Sequence, residues 1–304
     1  MIKNDLSRRI FAGVLFLAVS LTWGTTWMAM KFALTSFTPA LATGLRFLLA
    51  SPLLILMTKF SGKPLLFPKG KRKFQMMLAV FYFALPFFLM IYSEETVSPG
   101  ITALIFSVMP VAVVVSSFML MGKKVTRLQI IGTLIVMLSL CLIITTESGT
   151  AKVESWKGVA AILIAVACHA IMYVQCRKYC SDISVLTCNA IPCFLASLLL
   201  ILYGILEEHP DSYSFSFGAV AAISYLGIVA GVAGIMAYFK LQQIISPFHA
   251  SLVYFVFPLV AISFDTVLTG NAVSGTSEVM IVPFLAGAWM VLHPSSQVAA
   301  TTVK

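Results

Sequence analysis

The apolar positions of the chain fall into ten runs of about twenty residues, each bounded by a short polar break. They lie at 11–31, 39–59, 74–93, 98–121, 127–146, 157–177, 185–206, 216–239, 247–267 and 277–293. A run of that length crosses a hydrocarbon core roughly 30 Å thick. Water is absent from such a core, so each run must satisfy its own backbone hydrogen bonds and is predicted to be a helix. The breaks are too short to hold a soluble domain. The expected fold class is therefore an all-α membrane protein with ten transmembrane helices.

The pattern occurs twice. Ser98-Pro99 is followed eleven residues after the proline by Pro110, and Ser246-Pro247 is followed eleven residues after the proline by Pro258. The same offset of 148 pairs Leu104 with Leu252, Val108 with Val256 and Gly122 with Gly270. Phe47-Leu48-Leu49-Ala50-Ser51 is similar to Phe194-Leu195-Ala196-Ser197 after one gap. Each half has five spans. An odd number forces the halves into opposite senses, a five-plus-five inverted-topology repeat about a pseudo-two-fold axis in the membrane plane. The expected organisation is an N-terminus at 1–10, a first repeat at 11–146, a linker at 147–156, a second repeat at 157–293 and a tail at 294–304. Two similar halves in opposite senses offer two nearly equivalent states, one open to each side. Pro110 and Pro258 each remove a backbone donor and are predicted kinks, either fixed packing bends or gating bends. Gly227, Gly231 and Gly234 put small residues on one helix face, expected to serve close packing within the monomer. A monomer and a homodimer both remain open.

Composition removes the soluble alternatives. Of 304 residues, 60% are hydrophobic and 10% charged, against roughly a quarter charged in soluble domains. Charge placement then predicts direction. With the N-terminus in the cytoplasm, nearly all Lys and Arg outside the spans fall on that side, and only Lys152 and Lys157 fall opposite. Both termini are thus expected in the cytoplasm, with the chain in a bacterial inner membrane. Arg8 and Arg9 resemble a twin-arginine signal, but the apolar run behind them is too long and lacks a cleavage site; they read as anchors of the first helix. The net charge of +9 does not point to nucleic acid, because its densest run, Lys69-Gly70-Lys71-Arg72-Lys73, sits in a loop beside anionic lipid headgroups. Six cysteines show no zinc spacing and read as reduced, small apolar residues.

No phosphate-binding glycine loop, no His-Glu-x-x-His and no nucleophile beside a base is present, so no catalytic residue, metal or cofactor is expected. The chemistry that remains is polar and aromatic groups inside the spans, which are costly there and so are candidates to line a solute path. Trp23 and Trp27 share a face of the first helix. An offset of 147 matches Thr22 to His169 and Thr26 to Tyr173, so Trp23 is expected to face His169 and Tyr173 across the path. His169 reads equally as a histidine bonded to a neighbouring helix. Arg46 must snorkel, pair or face the path, where it would attract an anion such as a carboxylate. Asp265 either pairs with it or lies solvated at the interface. Tyr82 and Asn189 complete the candidate set.

Trp23-Gly24-Thr25-Thr26, Thr38-Pro39 with Arg46-Phe47, and Ser98-Pro99-Gly100-Ile101 with Pro110 resemble, in that order, the drug/metabolite transporter superfamily, specifically its ten-helix EamA-like branch. The resemblance covers nearly the whole chain. It implies a five-plus-five inverted repeat, a central cavity and transport of small organic solutes; the partners expected are the small-molecule substrate and membrane lipids. The chain departs from the family's pattern at Gly122-Lys123 and Gly270-Asn271, where members usually carry an acid, and its last span, with Pro283 and His293, matches weakly. The expected function is a secondary transporter exporting a small metabolite by alternating access. The alternative is a membrane-embedded enzyme acting on a lipid or small solute; a sensor or scaffold would need a partner-binding domain.

Overall fold

A computed structural model describes residues 5–122, 125–148, 150, 152–208, 215–245, 247–270 and 272–292. Lys123, Ser246, Asn271 and His293, all used above, lie outside the described residues. Among the described residues, ten helices are long and apolar enough to cross a membrane: α1 (Arg9–Ala33), α2 (Pro39–Phe60), α3 (Lys69–Ser93), α4 (Pro99–Met121), α5 (Arg127–Glu147), α6 (Trp156–Tyr179), α7 (Val185–Glu207), α8 (Phe217–Ile244), α9 (His249–Thr269) and α10 (Gly275–Leu292). Their starts are written locally. Proline opens α2 and α4, where its missing N–H is not needed. Thr126 and Gln129 form a capping box on α5, and the hydroxyls of Ser184 and Ser216 accept from the third backbone N–H of α7 and α8. The outer surface carries apolar side chains such as Leu17, Leu138, Leu206 and Val267.

Packing obeys the pseudo-two-fold. Helix α1 lies against α8 and α9, and α6 lies against α3 and α4. Helix α2 meets α8 as α7 meets α3, while α2–α7, α4–α9 and α5–α10 pair equivalent helices across the axis. Each repeat therefore completes the other's core. The α5–α10 crossing is closest at Gly132 and Gly287, where a Cβ on either glycine would meet the other's carbonyl oxygen. At α2–α7 the equivalent residues Arg46 and Cys193 come together, with the Cys193 thiol 3.7 Å from the Phe47 carbonyl. The close face of α8 also works inside the chain, with Gly227 on the Arg46 backbone and Gly234 on Trp23.

Departures from regular helix are likewise doubled. Helix α3 is π-helical over Ala79–Ala84 and α8 over Tyr225–Gly234, one extra residue per turn that re-aims the side chains around it. Helix α4 is interrupted at Ser107 and Val108, just ahead of Pro110. In α9 the break falls earlier, at Leu252, and the helix runs straight through Pro258. Proline thus accounts for the first interruption but not by itself for the second. Both helices end in left-handed glycines, Gly122 (φ 63°) and Gly270 (φ 72°), a conformation that a Cβ would strain.

The two ends of the bundle differ. At one end, Glu208 accepts the Ala40 N–H at the start of α2. Glu147 accepts the Ser274 N–H at 3.0 Å and the hydroxyls of Ser274 and Ser277 at 2.6 Å, capping α10. The inter-repeat linker lies over the α3–α4 loop, with the Ser98 N–H donating to the Lys152 carbonyl and the Glu154 N–H to the Thr96 carbonyl, both at 2.8 Å. Beneath it, the Pro99–Phe106 half of α4 packs on α9. At the opposite end, the Met109–Met121 half of α4 packs on α6 and α10. There an exposed ion pair, Lys71 to Asp182 at 2.7 Å, joins the start of α3 to the α6–α7 loop.

Candidate substrate site

A train of aromatic rings runs through the centre and draws on both repeats. Trp23 on α1 contacts Tyr238 on α8 at 4.9 Å and Tyr254 on α9 at 6.0 Å between centroids. Trp27, one turn on, contacts Phe106 on α4 at 5.4 Å and Phe257 on α9 at 6.3 Å. Phe106 in turn meets His169 on α6, and His169 also meets Tyr82 and Phe87 on α3, at 5.8, 5.3 and 5.0 Å respectively. These last three contacts are edge-on, the geometry favoured by ring quadrupoles.

Of the residues expected from the sequence, His169 and Tyr82 come together directly, and Trp27 reaches them through Phe106. Trp23 meets Tyr238 and Tyr254 rather than His169, because Phe106 stands between α1 and the imidazole. Tyr173 lies one turn from His169, near Tyr82, Tyr238 and Tyr254. It is 47% exposed whereas His169 is 5% exposed. Asn189 stays on its own helix, its amide donating to the Val185 carbonyl at 2.6 Å. The matched Thr22 and Thr26 do not mirror the roles of His169 and Tyr173: the Thr22 carbonyl accepts from the Tyr225 hydroxyl, and the Thr26 hydroxyl donates to the Trp23 carbonyl.

One polar atom in the centre stands out. His169 Nδ1 is buried and has no hydrogen-bond partner. A buried polar group without a partner is destabilising by roughly 1–3 kcal/mol, and in native proteins such groups collect where a ligand completes them. The tyrosine hydroxyls add donors and acceptors to otherwise apolar walls. That mixture suits a small solute with an apolar body and one or two polar groups.

Arg46 neither snorkels nor pairs. It is 6% exposed, its guanidinium lies 5.6 Å from the Phe47 ring centroid and 5.1 Å from that of Phe87, and its Nη1 donates to Met30 Sδ at 3.8 Å. Cation–π contact replaces the missing carboxylate. Because Phe87 also touches His169, one ring separates the guanidinium from the imidazole. Asp265 takes a different partner from either one expected: it is buried, 3.6 Å from Lys152 Nζ, and accepts the Gly100 N–H at 3.2 Å. The linker delivers Lys152 to this place, and linker geometry cannot be read from a span count.

Glu94, placed outside the spans by its sequence position, is fully buried and neither carboxylate oxygen has a hydrogen-bond partner. Burial pushes its carboxyl well above the usual carboxylate range; Asp265 adds to that, and Lys31 and Arg46 oppose it. The Lys31 ammonium donates to the Glu94 backbone carbonyl at 2.6 Å. Sequence reasoning missed Glu94, Tyr238, Tyr254, Phe87 and Phe106. A signal existed for two of them, since the offset of 148 pairs Phe106 with Tyr254, the two rings that receive Trp27 and Trp23.

The sequence is similar to known proteins over its whole length. It matches the EamA-like transporter family at residues 10–145 and again at 156–293. Protein PagO of Salmonella typhimurium is 44% identical over 285 residues, 94% of each chain. An uncharacterized transporter of Buchnera aphidicola subsp. Schizaphis graminum is 41% identical over 253 residues, 83% of this chain and 84% of its own. The inner membrane transporter YedA of Escherichia coli is 25% identical over 263 residues, 86% of this chain and 84% of its own. A crystal structure with 18% sequence identity superposes with a TM-score of 0.65, covering 96% of this chain and 99% of that one, a likeness of fold. The doubled match falls on the two halves that pack as equivalents, and the chain is a multi-pass membrane protein of the EamA-like transporter family.

Proposed function

We propose that the protein is a secondary transporter that exports a small organic metabolite across a bacterial inner membrane by alternating access. The observation that carries this is the aromatic centre, built from both repeats and holding the unpartnered Nδ1 of His169. Its walls supply apolar contact, and the imidazole and phenols supply orienting hydrogen bonds. In this reading the centre is closed at the Glu94 end and open past Tyr173 at the other. An inverted repeat supports the converse state, because exchanging the conformations of the two halves exchanges which end is sealed. The EamA-like membership and the names of the relatives support transport as the class, and the name of YedA supports the inner membrane. Lys and Arg placement supports cytoplasmic termini, which puts the Tyr173 end inside.

The decisive experiment is flux in reconstituted vesicles against a panel of amino acids, organic acids and drug-like solutes. Trp23→Ala and His169→Ala should lose flux of the transported solute while expression and insertion stay nearly normal. Lost stability in step with lost flux would mean that these residues only pack. Product formation without net flux would replace transport with a membrane-embedded enzyme. Reporter fusions after residues 62 and 182 should read cytoplasm and those after 150 and 210 periplasm; a periplasmic signal at 182 would overturn the orientation.

A further inference from the structure

Around Glu94, the sealed end gathers charged groups that transport through the aromatic centre does not itself require. Lys31 from α1, Arg46 from α2, Asp265 from α9 and Lys152 from the linker gather around Glu94, which ends α3. Helix α6 contributes no charge here; Gly158 brings its backbone against Ser93 and Thr96. Lys152 and Asp265 neutralise one another. Arg46 has rings and a thioether around it but no carboxylate in contact. Glu94 has both oxygens unsatisfied in a fully buried position. Neutralising Glu94 removes one of the negative charges set against Lys31, Arg46 and Lys152; Asp265 and the exposed Glu95 remain.

We propose that Glu94 is a proton-binding site, and that its protonation releases the positive charge of Lys31 and Arg46 to an anionic group of the transported solute. The step is a protonation only: Glu94 carboxylate takes one proton and becomes the neutral acid, with no other bond made or broken. The geometry supplies the link. Arg46 and His169 lie on the same Phe87 ring, so an anion held at Arg46 belongs to a solute whose body occupies the aromatic centre. While Glu94 is ionised it holds the field of Arg46 and Lys31, and an incoming anion is repelled by it. Once Glu94 is neutral, Arg46 faces the anion without that carboxylate beside it, and Lys31 keeps only the exposed Glu95 as a competitor. Proton and anion then bind cooperatively, and by linkage each raises the affinity for the other by the same factor. The substrate class this selects is an anionic, amphipathic solute, such as an aromatic or aliphatic carboxylate. This rests on the reading of the aromatic centre as the solute site.

The test uses the full chain in vesicles of phosphatidylethanolamine and phosphatidylglycerol, as wild type, Glu94→Gln and Arg46→Gln. Benzenesulfonate serves as the probe because it stays ionised across the working pH range, so any pH dependence belongs to the protein. Binding is read by quenching of tryptophan fluorescence, and carboxyl protonation by infrared difference spectra between acid and alkaline pH. Wild type should bind benzenesulfonate about tenfold more tightly at the acid end, within the usual range of coupling between sites. It should also show a protonated-carboxyl band that Glu94→Gln lacks. Glu94→Gln should bind tightly at every pH, and Arg46→Gln should bind weakly at every pH. An unchanged carboxyl band in Glu94→Gln, or the same pH dependence of binding in both, overturns the proposal; so does a wild type that binds no benzenesulfonate at any pH. Flux is scored separately. A protein that meets these expectations and moves no solute would sink the transport reading and leave the Glu94 site standing. A transporter whose Glu94→Gln variant keeps the band would do the reverse.

Discussion

The Glu94 end and the Lys71 end of the bundle are made by the same repeat, yet one is sealed by buried charge and the other is tied by an exposed ion pair. At the Glu94 end, carboxylates of α5 and of the residue after α7 cap α10 and α2, the linker covers the α3–α4 loop, and the Lys152–Asp265 pair is almost wholly enclosed. At the Lys71 end, Lys71 and Asp182 meet with 36% and 62% of their side chains exposed. A pseudo-two-fold would make the ends identical, and two features prevent it. The linker occurs once, so whatever it covers has no counterpart. The offset of 148 also sets Glu94 opposite Gln242, which places a titratable carboxyl at one end and a neutral amide at the other. Sealing by buried charge is conditional on pairing, whereas exposed pairs are screened and weak.

The largest effect should come from breaking the buried pair. Asp265→Asn removes the partner of Lys152 and weakens the bond from the Gly100 N–H, and should destabilise the protein by about 3 kcal/mol, read as a fall in Tm in detergent. An unchanged Tm would show that the charges do not hold this end together. Glu147→Ala removes three hydrogen bonds at the start of α10 and should be destabilising by about 2 kcal/mol. In a background freed of native cysteines, Tyr173→Cys should react with a small maleimide about tenfold faster than Ser98→Cys if the Tyr173 end is the open one, as proposed. Equal rates would erase the difference between the ends.

Smaller still is the pH effect at Glu94. Its folded-state carboxyl titrates above its unfolded value, so the native state binds more protons between the two values, and stability falls as pH rises through that window. Glu94→Gln should flatten this alkaline decline, measured as Tm against pH. The smallest effect is at the opposite end. The ammonium of Lys71 lowers the Asp182 carboxyl below its usual value, but the pair is open to solvent. Lys71→Ala should leave Tm unchanged within error, and a clear fall would mean that this end is also held by charge.

The spans were legible because lipid admits no partner for a bare backbone, and length and hydropathy therefore suffice to find them. Paired prolines and glycines made the repeat visible, and Gly122 and Gly270 do end α4 and α9 in the same left-handed conformation. The repeat offset was less reliable for side chains. It matched Thr22 with His169, but Phe106 packs between α1 and the imidazole, a contact that no offset along the chain records. Asn189 looked like a path-lining residue because it is polar in a span; its bond to Val185 shows how a helix can satisfy such a group alone.

What the sequence determined by itself is the number of helices, the doubling and the likeness to transporters, all of which depend on spacing and hydropathy along one dimension. Which side chains share a centre was decided only by tertiary structure. Phe106 comes between α1 and His169, Arg46 and His169 meet on the ring of Phe87, and Lys152 is carried by the linker to Asp265, each by contact between segments far apart in the chain. Glu94 is the clearest case. Its position reads as a loop acid, and only the packing of α1, α2 and α9 around it removes the water that would have kept it an ordinary carboxylate.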